Sequence, residues 1–245
     1  MKILVTNDDG INSEGIQVLA SILRTRHEVW IVAPSINRSG VSHGISMNEP
    51  LRFKVEGERE FSCSGLPVDC TITGSQGIMS EAPDVLISGI NRGANLGTDI
   101  VYSGTAAAAR QASFAGIPGI ALSLVSEGDP FYWEPLAHFV LKNLEMLVSL
   151  CERDVFININ APSLLEYKGA RLTGISRRDY QDTIIMHDGP DGCKYSFFRG
   201  GKIKTVGDGY SDWEAVEEGW VSVSRVYSQP VITKNVPDME PQFTV

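Results

Sequence analysis

Apolar and polar positions fall along this chain in blocks whose period switches between strand-like and helix-like. KILVT (2–6) is an unbroken apolar run with β-branched content, followed by turn formers. GIQVLASILRT then sets Ile16, Leu19 and Leu23 at helical spacing, and HEVWIVAP (27–34) is a second apolar run stopped by Pro34. Strand, helix and strand in about thirty residues predict a βαβ unit. Strands that are apolar throughout, rather than alternating, predict a parallel sheet covered on both faces.

The rhythm continues downstream. DVLISG (84–89), GIPGIALSL (116–124) and DVFININAP (154–162) read as buried strands, and TAAAARQASFA and 131–151 as helices. LRFKV and REFSCS predict a short hairpin pair, and PVDCTITGSQGIM a helix with Pro67 in its first turn. Two polar stretches break the pattern. One is SINRSGVSHGISMNEP (35–50), too long for a bare connection and so a candidate functional loop; the other is the glycine-rich INRGANLGTDIVYSG. Past residue 165 the alternation weakens. TIIMHDGPDGCKYSFFRGG predicts a hairpin turning at DGPDG, SDWEAVEEG a short helix capped by Ser211 with Glu214 completing a capping box, and WVSVSRV a half-buried strand. The expected architecture is a single α/β domain over 1–245, with a core over about 1–165 and a C-terminal elaboration over about 166–245.

Composition narrows the partners. The 245 residues carry a net charge of -9, which argues against a surface for DNA or RNA, although a small phosphorylated substrate remains compatible. No apolar run approaches the ~20 residues of a membrane span. The start MKILVTNDDG enters a strand directly and lacks the apolar stretch of a signal peptide. Cys63, Cys70, Cys151 and Cys193 are scattered, with no C-x-x-C, so free thiols and a cytoplasmic location are expected.

Candidate chemistry follows from strand ends, because ligands of open parallel sheets bind beyond the carboxyl ends of the strands. Asp8 and Asp9 follow the first strand, Arg38, Ser39 and His43 the second, and Asn91 and Asn95 the DVLISG strand. Gly10 frees the backbone there, so both carboxylates can turn inward. Two carboxylates, a hydroxyl and an amide oxygen suit a hard cation such as Mg²⁺, Mn²⁺ or Ca²⁺, and a cation between adjacent acids removes their repulsion. Turn or capping chemistry for Asp8 or Asp9 is the alternative. Ser103, Gly104 and Thr105 open the Ala-rich helix, where free N–H groups attract an anion; plain N-capping is the alternative there. NDDGINSEG lacks the dinucleotide fingerprint, and a D-x-D phosphatase fits poorly because Gly10 stands two beyond Asp8. Arg38 and Arg92 are candidate phosphate donors or surface residues, and His43 a phosphate donor or a loop-packing residue.

ILVTNDDG, IVAPSINRSG, GLPVDC, SGINRGANLGTDIVYSGT and DWEAVEEGWVSVS resemble, in this order, the blocks of the SurE family, the stationary-phase survival proteins. The resemblance runs from residue 1 to about 225, with departures such as SEGI at 13–16 and an added Arg110, none of which removes a ligand. It implies a Rossmann-like parallel sheet with helices on both faces, and a metal-dependent phosphomonoesterase acting on nucleoside 5'- and 3'-monophosphates, with exopolyphosphatase activity in addition. It places one divalent ion per subunit, Mg²⁺ or Mn²⁺, on Asp8, Asp9, Ser39 and Asn91; Asp8 and Asp9 are also the catalytic candidates, one of them as base for a water on or near the metal, with direct attack by the carboxylate as the alternative. Asn95, Ser103, Gly104 and Thr105 fall on the phosphate side. A cytoplasmic homodimer or homotetramer exchanging C-terminal segments is also implied. The competing readings are a non-catalytic nucleotide or phosphate sensor and a purely structural oligomer.

Overall fold

The sheet is ordered around its first strand. The computed structural model describes residues 1–126 and 128–230. β1 (Lys2–Thr6) leads through α1 (Glu14–Leu23) to β2 (Glu28–Pro34), which lies parallel to it with Leu4 opposite Trp30. β3 (Phe53–Gly57) and β4 (Glu60–Cys63) form the expected antiparallel pair, and β4 joins the sheet parallel to β2. After α2 (Pro67–Thr73) the chain crosses to the other side of β1 as β5 (Val85–Arg92), with Leu86 opposite Leu4. α3 (Gly104–Phe114), β6 (Gly119–Val125), α4 (Trp133–Leu150) and β7 (Val155–Pro162) continue the parallel series. The strand order therefore reverses between β1 and β5, which opens a crevice at their carboxyl ends.

Successive residues of β1 serve opposite layers, as strand geometry requires. Ile3 and Val5 pack with Ile16, Leu19, Leu136 and Val140 of α1 and α4. Leu4 packs on the other face with Cys70 and with Ala108 and Ala112 of α3. Helices thus cover both faces, which is why the central strands read as unbroken apolar runs. α3 lies very close to the sheet because its buried side is alanine. A Cβ on Gly119 of β6 would stand 2.1 Å from the Ala109 carbonyl oxygen.

The C-terminal stretch only partly follows expectation. β8 (Ala170–Leu172), β9 (Arg177–Tyr180) and, later in the chain, β12 (Ile203–Val206) are short strands with little sequence signal. β10 (Thr183–Asp188) and β11 (Lys194–Arg199) form the expected hairpin between them, while β9 pairs with β12. Ser211 caps α5 (Asp212–Glu217) in the expected capping box with Glu214. β13 (Val221–Tyr227) and β8 extend the main sheet beyond β7, giving nine strands in the order β3-β4-β2-β1-β5-β6-β7-β13-β8. No helix among the described residues is long and apolar enough to cross a membrane.

β5 also runs three residues past the expected end at Gly89, and its register with β6 shifts between Ser88 and Asn91. Such an irregularity re-aims the side chains after it. The stretch expected to be loop beyond it holds a 3-10 turn, Gly97–Val101.

The Gly119–Ala109 approach is testable. Gly119→Ala should lower stability by about 1–3 kcal/mol through overpacking. An unchanged urea midpoint would show that α3 is not held against β6 this closely.

Candidate active site

The turn after β1 is built by Asn7. Its buried amide donates to the Gly10 carbonyl at 2.9 Å and to the Ser13 hydroxyl at 2.7 Å, and its oxygen accepts from Gly10 N–H at 3.2 Å. Gly10 takes φ +101, a value that strains other residues. The turn chemistry considered for the two acids thus belongs to their neighbour, which leaves both carboxylates for other partners.

Asp8 turns inward and is only 4% exposed. Its Oδ1 accepts from the Thr105 hydroxyl at 2.5 Å and its Oδ2 from Thr105 N–H at 3.2 Å. It therefore sits on the N-terminus of α3, where the dipole favours negative charge. Gly104 permits this, since a Cβ there would lie 2.9 Å from the Asp8 Cβ. Asp9 Oδ2 accepts from the Arg92 backbone N–H at 3.0 Å, which ties the end of β1 to the end of β5.

Burial raises the Asp8 carboxyl above the usual carboxylate range, the Thr105 hydroxyl opposes this, and the charge of Asp9 adds to it. Burial likewise raises Asp9, against the backbone N–H and the positive charge of Arg92. No Lys or Arg among the described residues forms an ion pair with either acid.

A cleft of about 240 Å³ opens at Asp8, lined also by Ser39, Asn91, Asn95, Ser103 and Tyr180. Arg38 N–H donates to the Asp8 carbonyl at 2.6 Å, which brings the 35–50 loop and Ser39 over the β1 turn. Asn91 donates its amide to the Gly93 carbonyl at 3.0 Å, leaving its oxygen for another partner. Asp9 faces a neighbouring cavity of about 450 Å³ that shares Arg92 with the first. The donor set fits a hard cation: two carboxylates short of positive charge, with neutral oxygens beside them. Among the described residues no three His, Cys, Asp or Glu side chains come together closely enough to hold a metal ion, so a cation here would depend on the Ser and Asn oxygens as well.

A family model described as "Survival protein SurE" matches residues 3–182. The chain belongs to the SurE family. The "5'-nucleotidase SurE" of Thermosipho melanesiensis is 43% identical over 92% of this chain and 91% of its own. The protein of the same name from Geobacter sulfurreducens is 39% identical over 93% and 88%. The crystal structure of the SurE protein from Aquifex aeolicus superposes with a TM-score of 0.83 at 31% identity, covering 94% of this chain and 95% of that one. The fold read from the sequence is thus that of SurE proteins.

Within this SurE fold the named residues separate into groups. Asp8, Ser39, Asn91, Asn95 and Ser103 share the smaller cleft, and Asp9 faces the larger cavity beside it. Thr105 directs both its donors at Asp8. Ser103 caps α3, accepting from Ala106 N–H at 3.0 Å, and Gly104 N–H has no hydrogen-bond partner among the described residues. Arg38 turns its guanidinium to the Ser64 carbonyl at 2.7 Å, and His43 meets Gln111 at 3.0 Å, so both serve loop packing. Arg110 lies over the Phe156 ring, 5.4 Å from its centroid.

Several supporting residues escaped the sequence reading. Asn158 and Asn160 of β7 are fully buried and hold the backbone of Asn95: Asn160 Oδ1 accepts from Asn95 N–H at 2.9 Å, and both amides donate to its carbonyl. Two asparagines at i and i+2 in FININ share one face, and that polar pair in an apolar strand was the available signal. Asp99 receives Arg178 Nη1 at 2.5 Å and the Tyr180 hydroxyl, which joins β9 to the rim of the cleft. Burial and the Asp99 carboxylate push Tyr180 up to about 12, so it stays a neutral donor.

Asn160→Ala should leave the Asn95 N–H without its partner, while the carbonyl keeps Asn158, costing about 1–3 kcal/mol. Amide exchange at Asn95 should speed up relative to the strands; equal protection in the variant would remove the clamp from the account.

Proposed function

We propose that this chain is a divalent-metal-dependent phosphomonoesterase converting nucleoside 5'-monophosphates to nucleoside and phosphate. The observation that carries this reading is the buried Asp8 carboxylate with no ion-pair partner, beside Asp9 and neutral oxygens, at the N-terminus of α3. Relatives named 5'-nucleotidase, at 39–43% identity, support the substrate class. Asp8, Asp9, Ser39 and Asn91 would hold one Mg²⁺ or Mn²⁺ per subunit. When bound, the dication neutralises the acids and polarises the phosphoryl oxygens.

The protein groups have separable tasks. Asp8 already occupies the Thr105 N–H at the start of α3, which leaves Gly104 N–H for a phosphate oxygen, and the Ser103 hydroxyl, which accepts from Ala106, keeps its proton to donate. Asn95 donates one amide hydrogen to Ser123 at 2.8 Å and keeps the second for a phosphoryl oxygen. Thr105 is a positioning residue: it fixes both oxygens of Asp8. Asp9 has one oxygen engaged by the Arg92 backbone N–H and the other turned to the cation, so a water beside that cation would lie within reach of Asp8 or Asp9 as the base that takes its proton. Unaided phosphate-ester hydrolysis is extremely slow, so fixed donors around the developing charge supply most of the acceleration. A 3'-monophosphate and a polyphosphate end present similar terminal groups, and both belong on the substrate panel. The four free cysteines support a reducing, cytoplasmic setting.

Phosphate release should occur with Mn²⁺ or Mg²⁺ and stop with EDTA. Asp9→Asn should lower release from AMP about 10²-fold or more. Mn²⁺ should raise the melting temperature of the unaltered protein but not of the variant, since a ligand stabilises only the state that binds it. Full activity in Asp9→Asn would refute the assignment; metal and nucleotide binding without turnover would favour the sensor reading.

A homodimer or homotetramer is part of the proposal. The hairpin β10–β11 exposes Ile184 and Phe198 on one face and Phe197 on the other. An isolated two-stranded hairpin is marginal in water, and both faces here call for cover. Phe198→Asp should shift the sedimentation coefficient toward a smaller species; an unchanged assembly would place the subunit contact elsewhere.

A further inference from the structure

The smaller cleft, at about 240 Å³, falls short of the ~300 Å³ at which pockets for whole small molecules begin. It suits a phosphoryl group and its cation. The rest of a nucleotide must lie outside it, and the adjoining cavity of about 450 Å³ shares the Arg92 wall and is bordered by Asp9 itself. Its lining has a definite chemistry. Asp9, Glu14 and Asp129 supply carboxylates and Asn37 an amide, while Phe131 and Trp133 stack with centroids 5.1 Å apart. The Arg92 guanidinium caps that stack 4.7 Å from the Phe131 centroid and is paired with Asp129 at 2.8 Å, and among the described residues it is the one cation in the lining against three carboxylates. Trp133 Nε1 donates to Glu14 Oε2 at 3.1 Å, which fixes the Glu14 carboxylate and leaves its second oxygen available. Asn37 Oδ1 accepts from Ser39 N–H at 2.8 Å, linking this cavity to a residue of the phosphate cleft.

Resting on the phosphatase reading above, we propose that the cavity beside Asp9 is the nucleoside subsite. It selects the uncharged, donor-rich ribose and base of a monophosphate and rejects a leaving group that carries a second phosphate. Ribose hydroxyls and exocyclic amines donate to carboxylate oxygens, the base finds π surface along the Arg92–Phe131 stack, and an additional phosphate meets acidic groups.

The experiment compares kcat/KM, with Mn²⁺ present, for AMP, 4-nitrophenyl phosphate and adenosine 3',5'-bisphosphate. In the unaltered protein AMP should exceed the bisphosphate about tenfold or more. Glu14→Ala should lower the ratio of AMP to 4-nitrophenyl phosphate about tenfold through KM, the worth of one charge-assisted hydrogen bond. Glu14→Gln, which keeps the shape and an acceptor, should narrow the gap between AMP and the bisphosphate. Adenosine, which has no phosphate, should quench fluorescence from Trp133, and this change should vanish in Trp133→Phe. Phosphate release with ratios that the Glu14 variants leave alone would overturn the subsite and spare the phosphatase reading. No release from any of the three substrates would sink both.

Discussion

Asp8 and Thr105 stand 97 residues apart in the chain and are bonded twice, through the hydroxyl and the backbone N–H. That contact fastens the end of β1 to the start of α3 across the reversal point of the sheet. It also brings an acid inside the protein, where the absence of solvent disfavours its charge. The helix N-terminus offsets part of that cost, but the offset is partial, and Asp9 adds a like charge next door. Both carboxyls are therefore held above their usual range, Asp8 by burial and its neighbour's charge and Asp9 by burial. The close approach of α3 is a condition for the burial of Asp8. Gly104 has no side chain to obstruct Asp8, and the alanines along α3 with Gly119 beneath bring the helix close to the strands.

The surrounding loops are held by polar groups buried in the sheet. β7 carries Asn158 and Asn160 under the loop after β5, so the amide positions of Asn95 are set by a strand two places away. Asp212 of α5 does similar work from the far end of the chain, receiving Gly97 N–H at 2.7 Å and Ser176 N–H at 2.9 Å. With Asp99 bonded to Arg178 and Tyr180, the late part of the chain grips the 3-10 turn that leads into Ser103. Buried hydrogen-bond networks of this kind rigidify what they hold, although Asn158 Oδ1, Ser176 Oγ and Arg178 Nε take no partner among the described residues. The C-terminal stretch is therefore coupled to the cleft within one chain, quite apart from any contact between subunits.

The two adjoining cavities differ in chemistry. One offers helix amides and neutral donors beside paired acids, and the other offers acceptors and aromatic surface. Arg92 borders both cavities, and its N–H bond to Asp9 ties the turn after β1 to the end of β5.

Much of this was legible in the sequence because it depends on local periodicity. Unbroken apolar strands with intervening helices required a parallel sheet covered on both faces, and its loops had to meet at one rim. Asp8, Ser39, Asn91 and Asn95 stood out by residue type and position beyond a strand and Ser103 by its place before a helix, and the structure brings these five to one cleft. The capping box of Ser211 and Glu214 was readable too, since it spans three residues. What tertiary structure alone decided is which partner each polar group takes. Asn7, not either acid, makes the turn; Thr105 spends its donors on Asp8; Arg38 and His43 pack loops. β8, β9 and β12, three or four residues each, are too short to carry a period and exist because neighbouring strands accept them. The physical reason is range: hydrophobic patterning repeats every two or 3.6 residues and is written along the chain, whereas a hydrogen bond between residues 8 and 105 depends on coordinates that only packing supplies.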